Sequence, residues 1–313
     1  MIKYRLLSAF SLFLSIGLVI NISPTFAIYG GSPAIGNKVV VGLLSSEVAT
    51  TSGCSGGLVA PRIVMTAAHC LTSSANNLWI SEPGSDLRDL SKKRIQAERI
   101  YIPEGFTAAK FPYQNDFGII VLKSAFENYE TLELATSQQI QDWMSAEAEV
   151  LHLGYGCIAL VDAPPCQVTS KTPNQLETTF TNAIPQQFAT LAPKTFSATK
   201  ISVNKTICGG DSGGPLLKKV NEKWIYIGAQ SSSNGAGCTK TCNFDCTATQ
   251  GLPAANITLV QAAIDLVASK SALSTPTAKP VVKKTTITCV KGKIIKKASG
   301  INPKCPTGFK KRT

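Results

Sequence analysis

The sequence predicts an all-β body closed by one helix and followed by a small basic tail. Between Ile28 and about Ser269 the chain is a succession of short apolar runs rich in β-branched residues: "KVVVGLL", "GGLVAPRIVMTAA", "RIQAERIYI", "DFGIIVL", "AEVLHLGYG", "PLLKK" and "KWIYIGAQ". Gly, Pro, Asn and Ser separate the runs, the pattern of short strands joined by turns in a sandwich or barrel. One stretch departs from it. "ITLVQAAIDLVAS" places Leu259, Ala262, Ala263, Leu266 and Val267 at helical spacing, which predicts an amphipathic helix at the end of the body.

The two ends read differently from the body. With 313 residues the chain can bury a sizeable core in one large domain or two modest ones, and nothing about its size forces it beyond a monomer. Residues 1–27 have the parts of a secretory signal: Lys3 and Arg5, an apolar stretch from Leu6 to Ile20, then Thr25-Phe26-Ala27 as a small-x-small cleavage site. The fifteen apolar residues fall short of the ~18 a spanning helix needs, so export with cleavage after Ala27 is expected rather than a membrane anchor. At the other end, "SKSALSTPTAKPVVKKTT" is a solvated Ser/Thr/Pro/Lys linker. The expected division is therefore a body over 28–270, a linker over 271–285 and a basic module over 286–313. Residues 279–313 hold eleven Lys or Arg and no acid, whereas 28–278 hold eighteen basic and nineteen acidic side chains, so the net charge of +12 belongs to the tail. An anionic cell-surface polymer or lipid is the partner such a tail would attract; a specific nucleic-acid partner is not expected.

Ten cysteines in an exported chain are most simply five disulfides, because an oxidising compartment keeps thiols paired. Cys238, Cys242 and Cys246, at every fourth position, raise a zinc alternative, but the spacing is not a usual zinc pattern and no histidine is near. No metal is expected. Cys289 and Cys305 stand alone in the tail, where a disulfide would staple a hairpin too poor in apolar residues to hold itself.

Two motifs carry chemistry. Of the two histidines, His152 lies mid-run in "VLHLGYG" and reads as a structural strand residue, while His69 ends the run "VMTAAHC", where small alanines let the chain turn beside a cleft. The second motif is "CGGDSGGPLL", residues 208–217. A serine hydroxyl needs a base to become a nucleophile, and the oxyanion it creates needs preorganised donors. Glycines on both sides of Asp211 and Ser212 allow the amides of Gly210 and Ser212 to point into one small space; the competing reading is an incidental serine in a glycine-rich turn.

Together "TAAHC" and "GDSGGP" resemble the chymotrypsin-like (trypsin superfamily) serine proteases, over about residues 28–270. The resemblance implies two packed six-stranded antiparallel β-barrels with the active site between them, and a secreted serine endopeptidase acting on proteins or peptides without a cofactor. It implies His69 as base, Ser212 as nucleophile, the Gly210 and Ser212 amides as oxyanion hole, and an intervening aspartate, for which "NDFGIIVL" nominates Asp116, 47 positions after His69. It also gives meaning to "IYGG" at 28–31: the freed ammonium of Ile28 would pair with Asp211 and order the oxyanion loop, and signal cleavage would itself release it, leaving no room for an inhibitory propeptide. By the same resemblance Cys54 pairs with Cys70 and Cys208 with Cys238, which leaves Cys157 with Cys166 and Cys242 with Cys246 as local pairs. The pocket floor falls on Thr206, so the aspartate that selects Arg and Lys is missing. Ser231 falls where the family pairs substrate backbone, and Ser233 near a wall position usually held by glycine. A small or medium uncharged residue before the cut is implied, with Asp245 the one nearby acid that the Cys238–Cys246 loop could bring in. The alternative is a catalytically inactive relative that binds through the same fold and its basic tail; it would need a broken triad, and none of the three members is broken.

Overall fold

Six short runs early in the body close on one another. In the computed structural model these are β1 (Val40–Leu44), β2 (Cys54–Ala60), β3 (Ile63–Thr66), β4 (Trp79–Ser81), β5 (Arg94–Tyr101) and β6 (Gly118–Leu122), joined in the order β1-β2-β3-β6-β5-β4 as a closed barrel. Every pairing is antiparallel. Val41, Leu43, Leu58, Val64, Ile80, Ile95, Ile120 and Leu122 fill its interior. Both faces of β6 are covered, so all five of its residues are buried and the sequence "GIIVL" runs apolar without alternation. Closure removes the exposed edges that an open sheet would leave.

The structure describes residues 28–109, 111–129, 131–157, 169–192, 194–202, 205–234, 246–274 and 284–312. The chain divides into two compact units, one ending at Asp265 and one starting at Leu266.

The first unit holds a second barrel. Its strands are β7 (Glu149–Gly154), β8 (Asn174–Phe180), β9 (Phe196–Ile201), β10 (Pro215–Val220), β11 (Lys223–Ser233) and β12 (Cys246–Gly251), in the order β8-β9-β12-β11-β10-β7 with β7 pairing back onto β8. The fold is thus two closed six-stranded antiparallel barrels, as the resemblance implies. Against this second barrel packs α1 (Ser137–Ser145), its Ile140 among Val150, Phe180 and Leu216, opened by a reciprocal capping box between Thr136 and Gln139. The barrels touch through specific groups. Tyr155 donates its hydroxyl to the Ser85 carbonyl at 2.9 Å, the Leu87 N–H donates to the Lys171 carbonyl at 2.8 Å, and Asn115 and Asn256 exchange amide bonds at 3.1 and 2.8 Å. At Gly251 the approach is close enough that a Cβ would lie 2.1 Å from the Asp116 carbonyl oxygen, so only glycine fits.

The helix α2 (Ile257–Ser274) follows β12 and buries Val260 and Ala263. Ala262, expected on that face, is exposed; the 100° step per residue puts 260 and 263 together and 262 to one side. In the second unit β13 (Thr285–Lys291) and β14 (Ile294–Gly300) form a hairpin across Gly292, whose φ of 57° suits the turn, and β15 (Lys310–Lys311) adds to the other edge of β13. A disulfide of 2.03 Å joins Cys289 to Cys305, and Cys289 is fully buried. Ile294, Ile295 and Ile301 are exposed, so this sheet relies on its staple more than on a core. Among the described residues no helix is long and apolar enough to cross a membrane.

His152 is buried in β7. Its Nε2 lies 3.0 Å from the Thr199 hydroxyl, its Nδ1 has no partner among the described residues, and burial pushes the imidazole down from 6.5 to about 3. The unfolded chain therefore binds a proton that the folded one refuses: stability from this group is complete above pH 6.5 and is lost as pH falls from there toward 3. The expected slope in that window is up to ~1.4 kcal/mol per pH unit. Urea unfolding of wild type and His152→Gln at pH 7 and pH 4.5 checks it: the variant should lose this share of the acid sensitivity, and an unchanged acid limb would place the sensitivity elsewhere.

Candidate active site

His69 lies in the single turn Ala68–Cys70 that ends β3, with Ala67 and Ala68 buried beneath it, and a disulfide of 1.97 Å from Cys70 to Cys54 ties the turn to β2. Small residues are required because the turn packs directly on the barrel. Asp116 sits just before β6 and is 2% exposed. Its Oδ1 accepts the His69 backbone N–H at 2.9 Å, and its Oδ2 lies 2.7 Å from His69 Nδ1 and accepts the Ser231 hydroxyl at 2.6 Å. Three donors offset the cost of burying the carboxylate. With a carboxylate at Nδ1, that nitrogen carries the proton in the neutral ring and Nε2 is left as the basic site.

Ser212 follows a tight turn in which the Asp211 N–H donates to the Cys208 carbonyl at 3.1 Å. The turn needs glycine on both sides. Gly210 and Gly213 have φ of 94° and 80°, and a Cβ at Gly213 would lie 2.0 Å from Thr66 Oγ1. The Ser212 carbonyl accepts the Ser55 N–H at 2.8 Å, and Cys70 Sγ is 3.6 Å from the same oxygen, which sets the neighbour of His69 against the Ser212 backbone. Neither the Gly210 nor the Ser212 N–H is taken up by a hydrogen bond among the described residues.

Asp211 turns the other way and is 2% exposed. Its carboxylate accepts the Gly156 N–H at 2.8 Å and the Cys208 N–H at 2.9 Å; desolvation outweighs both and pushes the carboxyl up to about 7. Ile28 is fully buried among Leu176, Ile201, Ile207, Cys246 and Ala248, and Tyr29 bridges to Thr206.

A cleft of about 560 Å³ opens beside Ser212. Ile207, Cys208, Gly209, Gln230, Ser231, Ser232, Ser233 and Asn234 line it, together with Phe111 and Gln187. Ser231 and Ser233 are thus both in the lining of this cleft. Thr206 is fully buried, donates its N–H to the Tyr29 carbonyl at 3.1 Å, and is not among the described lining residues. Cys157, Cys208 and Cys246 are disulfide-bonded. The partners expected for them, Cys166, Cys238 and Cys242, lie outside the described residues, as does Asp245.

One part of the site escapes motif reading. The Tyr113 ring is 4.9 Å from that of His69, Phe106 and Phe111 meet Tyr113 edge-on at 6.4 and 5.8 Å, and Phe111 reaches Phe188 at 6.4 Å. Its only signal is three aromatics in "GFTAAKFPY" shortly before Asp116.

The trypsin family model matches residues 28–250. A trypsin-like protease of Streptomyces glaucescens is 26% identical over 219 residues, covering 68% of this chain and 75% of that protein. A chymotrypsin of Phaedon cochleariae is 23% identical over 203 residues, 63% of this chain and 71% of that protein, and chymotrypsin-C of Bos taurus is 23% identical over 197 residues, 59% and 69% respectively. The match spans both barrels and carries each of the motifs around Ser212 and His69, and on it the chain belongs to the trypsin family of chymotrypsin-like serine proteases.

Proposed function

We propose that the protein is an exported serine endopeptidase in which Ser212 Oγ attacks the peptide carbonyl carbon while His69 Nε2 takes the hydroxyl proton. Asp116 holds the imidazole through Nδ1, and the imidazolium returns the proton to the leaving amine. The Gly210 and Ser212 amides receive the oxyanion, and water then hydrolyses the acyl-enzyme by the same route. The observation that carries this reading is the 2.7 Å contact of His69 Nδ1 with a buried carboxylate, which leaves Nε2 basic. The cleft beside Ser212 has no charged side chain among its described lining, which supports an uncharged residue before the cut.

The seam at Ile28 supports a second step of the same reading, pairing of its freed ammonium with Asp211. A carboxyl pushed up to about 7 by burial is one that a neighbouring cation would bring down. In the uninterrupted chain Ile28 has φ of 54°, a conformation costly for a β-branched residue. Its steric origin is the carbonyl of residue 27, so hydrolysis of the 27–28 bond removes it. The basic unit supports a tether to an anionic cell-surface polymer or lipid: residues 284–312 carry nine Lys or Arg and no acid on a stapled three-stranded sheet.

Labelling by a fluorophosphonate tests the chemistry. Wild type should label and Ser212→Ala should not; His69→Ala and Asp116→Asn should each lower kcat by roughly 10³-fold or more while staying folded, and pairing two changes should add little. Well-folded wild type that does not label would favour the inactive binding relative.

For the seam, the mature chain should begin at Ile28 and activity should fail at alkaline pH. An α-amine titrates at about 7.7 to 8.0 and a carboxylate partner raises that value, so the pairing is complete below it and is lost as pH rises through the higher folded value. A variant shown by N-terminal sequencing to retain one extra alanine before Ile28 should be nearly silent, and full activity from it would reduce "IYGG" to a strand start.

For the tail, deleting residues 275–313 should abolish retention on anionic polymer or phosphatidylglycerol vesicles at low salt, as 1 M salt should in the full chain. Unchanged retention would end the tether reading.

A further inference from the structure

We infer that Ser55 is a positioning residue that presets the oxyanion amides, an inference that rests on the protease reading above. Ser55 is fully buried in β2, one residue after Cys54. Its hydroxyl donates to the Gly210 carbonyl at 2.8 Å and accepts the Tyr155 N–H at 2.9 Å. Its own N–H donates to the Ser212 carbonyl at 2.8 Å, and its carbonyl accepts the Thr66 hydroxyl at 2.8 Å. One residue of the first barrel therefore grips the nucleophile loop at two peptide planes and ties it to the strand end at Tyr155.

The grip is complete at both ends of each plane. In the Gly210–Asp211 peptide the carbonyl is held by Ser55 and the N–H by the Cys208 carbonyl at 3.1 Å. In the Ser212–Gly213 peptide the carbonyl is held by the Ser55 N–H and the N–H by the Gln230 carbonyl at 2.7 Å. Between these planes stands the Asp211–Ser212 peptide, whose N–H is one of the two oxyanion donors. The other donor belongs to Gly210 itself. Glycine has wide backbone freedom, and at φ 94° Gly210 has no side chain to resist rotation. The Ser55 hydroxyl supplies that resistance from outside. It also bridges the same two segments, 155–156 and 208–211, that the Asp211 carboxylate bridges through Gly156 and Cys208. Losing the hydroxyl would leave the Tyr155 N–H without a partner in a buried place and let the Gly210 peptide turn.

The test compares wild type with Ser55→Ala on a peptide-amide substrate, on a peptide boronate that forms a tetrahedral adduct at Ser212, and on the product peptide. The expected result is a fall of about tenfold or more in kcat, short of the ~10²–10³ that follows removal of an entire oxyanion donor, with KM within about twofold. Boronate affinity should fall in parallel with kcat and product affinity should not. A lower melting temperature with kcat and boronate affinity unchanged would make Ser55 a packing residue and overturn the inference, as would a rise in KM alone. If Ser55→Ala is not recovered folded, Ser55→Gly removes the same hydroxyl from a strand that already carries glycine at 56 and 57 and is read by the same outcomes. Wild type without turnover would sink the protease reading itself, and this inference with it.

Discussion

Two carboxylates buried where the barrels meet, Asp116 and Asp211, impose the constraint around which the site is arranged. A carboxylate taken out of water must be given donors, and the donors must come from whatever elements can reach it. Asp116 draws on the His69 turn for two and on β11 for a third. Asp211 draws on the end of β7, through Gly156, and on its own turn, through Cys208. Because these elements belong to different parts of both barrels, satisfying two charges also fixes the relative placement of the histidine turn, the Ser212 loop and the cleft. The two sites are not equally settled. Asp116 is held by three donors, whereas burial outweighs the two amides at Asp211 and pushes its carboxyl up to about 7.

Much of the first barrel was legible because its strands are apolar. "RIVMTAA", "RIQAERIYI" and "DFGIIVL" are runs whose inward residues fill a hydrocarbon interior. The second barrel was legible only in part. Strands β8, β9 and β12, with sequences "NQLETTF", "FSATKI" and "CTATQG", carry no apolar alternation and do not stand out as strands. Among their buried positions, Leu176, Phe180, Ala198, Ile201, Cys246 and Ala248 are interspersed with a polar network. Ser197 donates to Gln250 at 2.9 Å, Gln250 donates to Thr199 at 3.3 Å, and Thr199 meets His152 at 3.0 Å. Hydrogen bonding rather than hydrophobicity satisfies these side chains, and a pattern reading keyed to apolar periodicity passes over them. Helix α1 was missed for a different reason: it buries only Ile140, although the Thr136–Gln139 capping box marks its start.

In the site itself, local chemistry was legible and distant chemistry was not. The glycines around Ser212 and the alanines before His69 are local demands of tight turns, so they show in a few adjacent residues. Ser55, Tyr113, Gln230 and the hydroxyl of Ser231 against Asp116 act through contacts between residues far apart in the chain, as from Ser55 to Ser212. Nothing in the residues beside Ser55 signals that its hydroxyl meets Gly210. Ser231 was singled out by resemblance alone, and its bond to Asp116 adds a physical reason for a serine there. Thr206 was likewise named by resemblance alone; the structure shows it buried, with its N–H on the Tyr29 carbonyl.

The supports of the Ser212 loop share the same two segments, and this bears on how they would act together. The Asp211 carboxylate and the Ser55 hydroxyl each join 155–156 to 208–211, and Tyr29 reaches the same stretch through Thr206. Groups that hold one backbone segment in common do not contribute independently, because releasing any one lets the peptide planes move and degrades the geometry of the others. A loop held this way loses its supports together rather than one at a time. Gly210 and Gly213, at φ of 94° and 80°, leave the segment between Cys208 and Gly214 free to turn by itself, so its geometry depends on these outside contacts acting together.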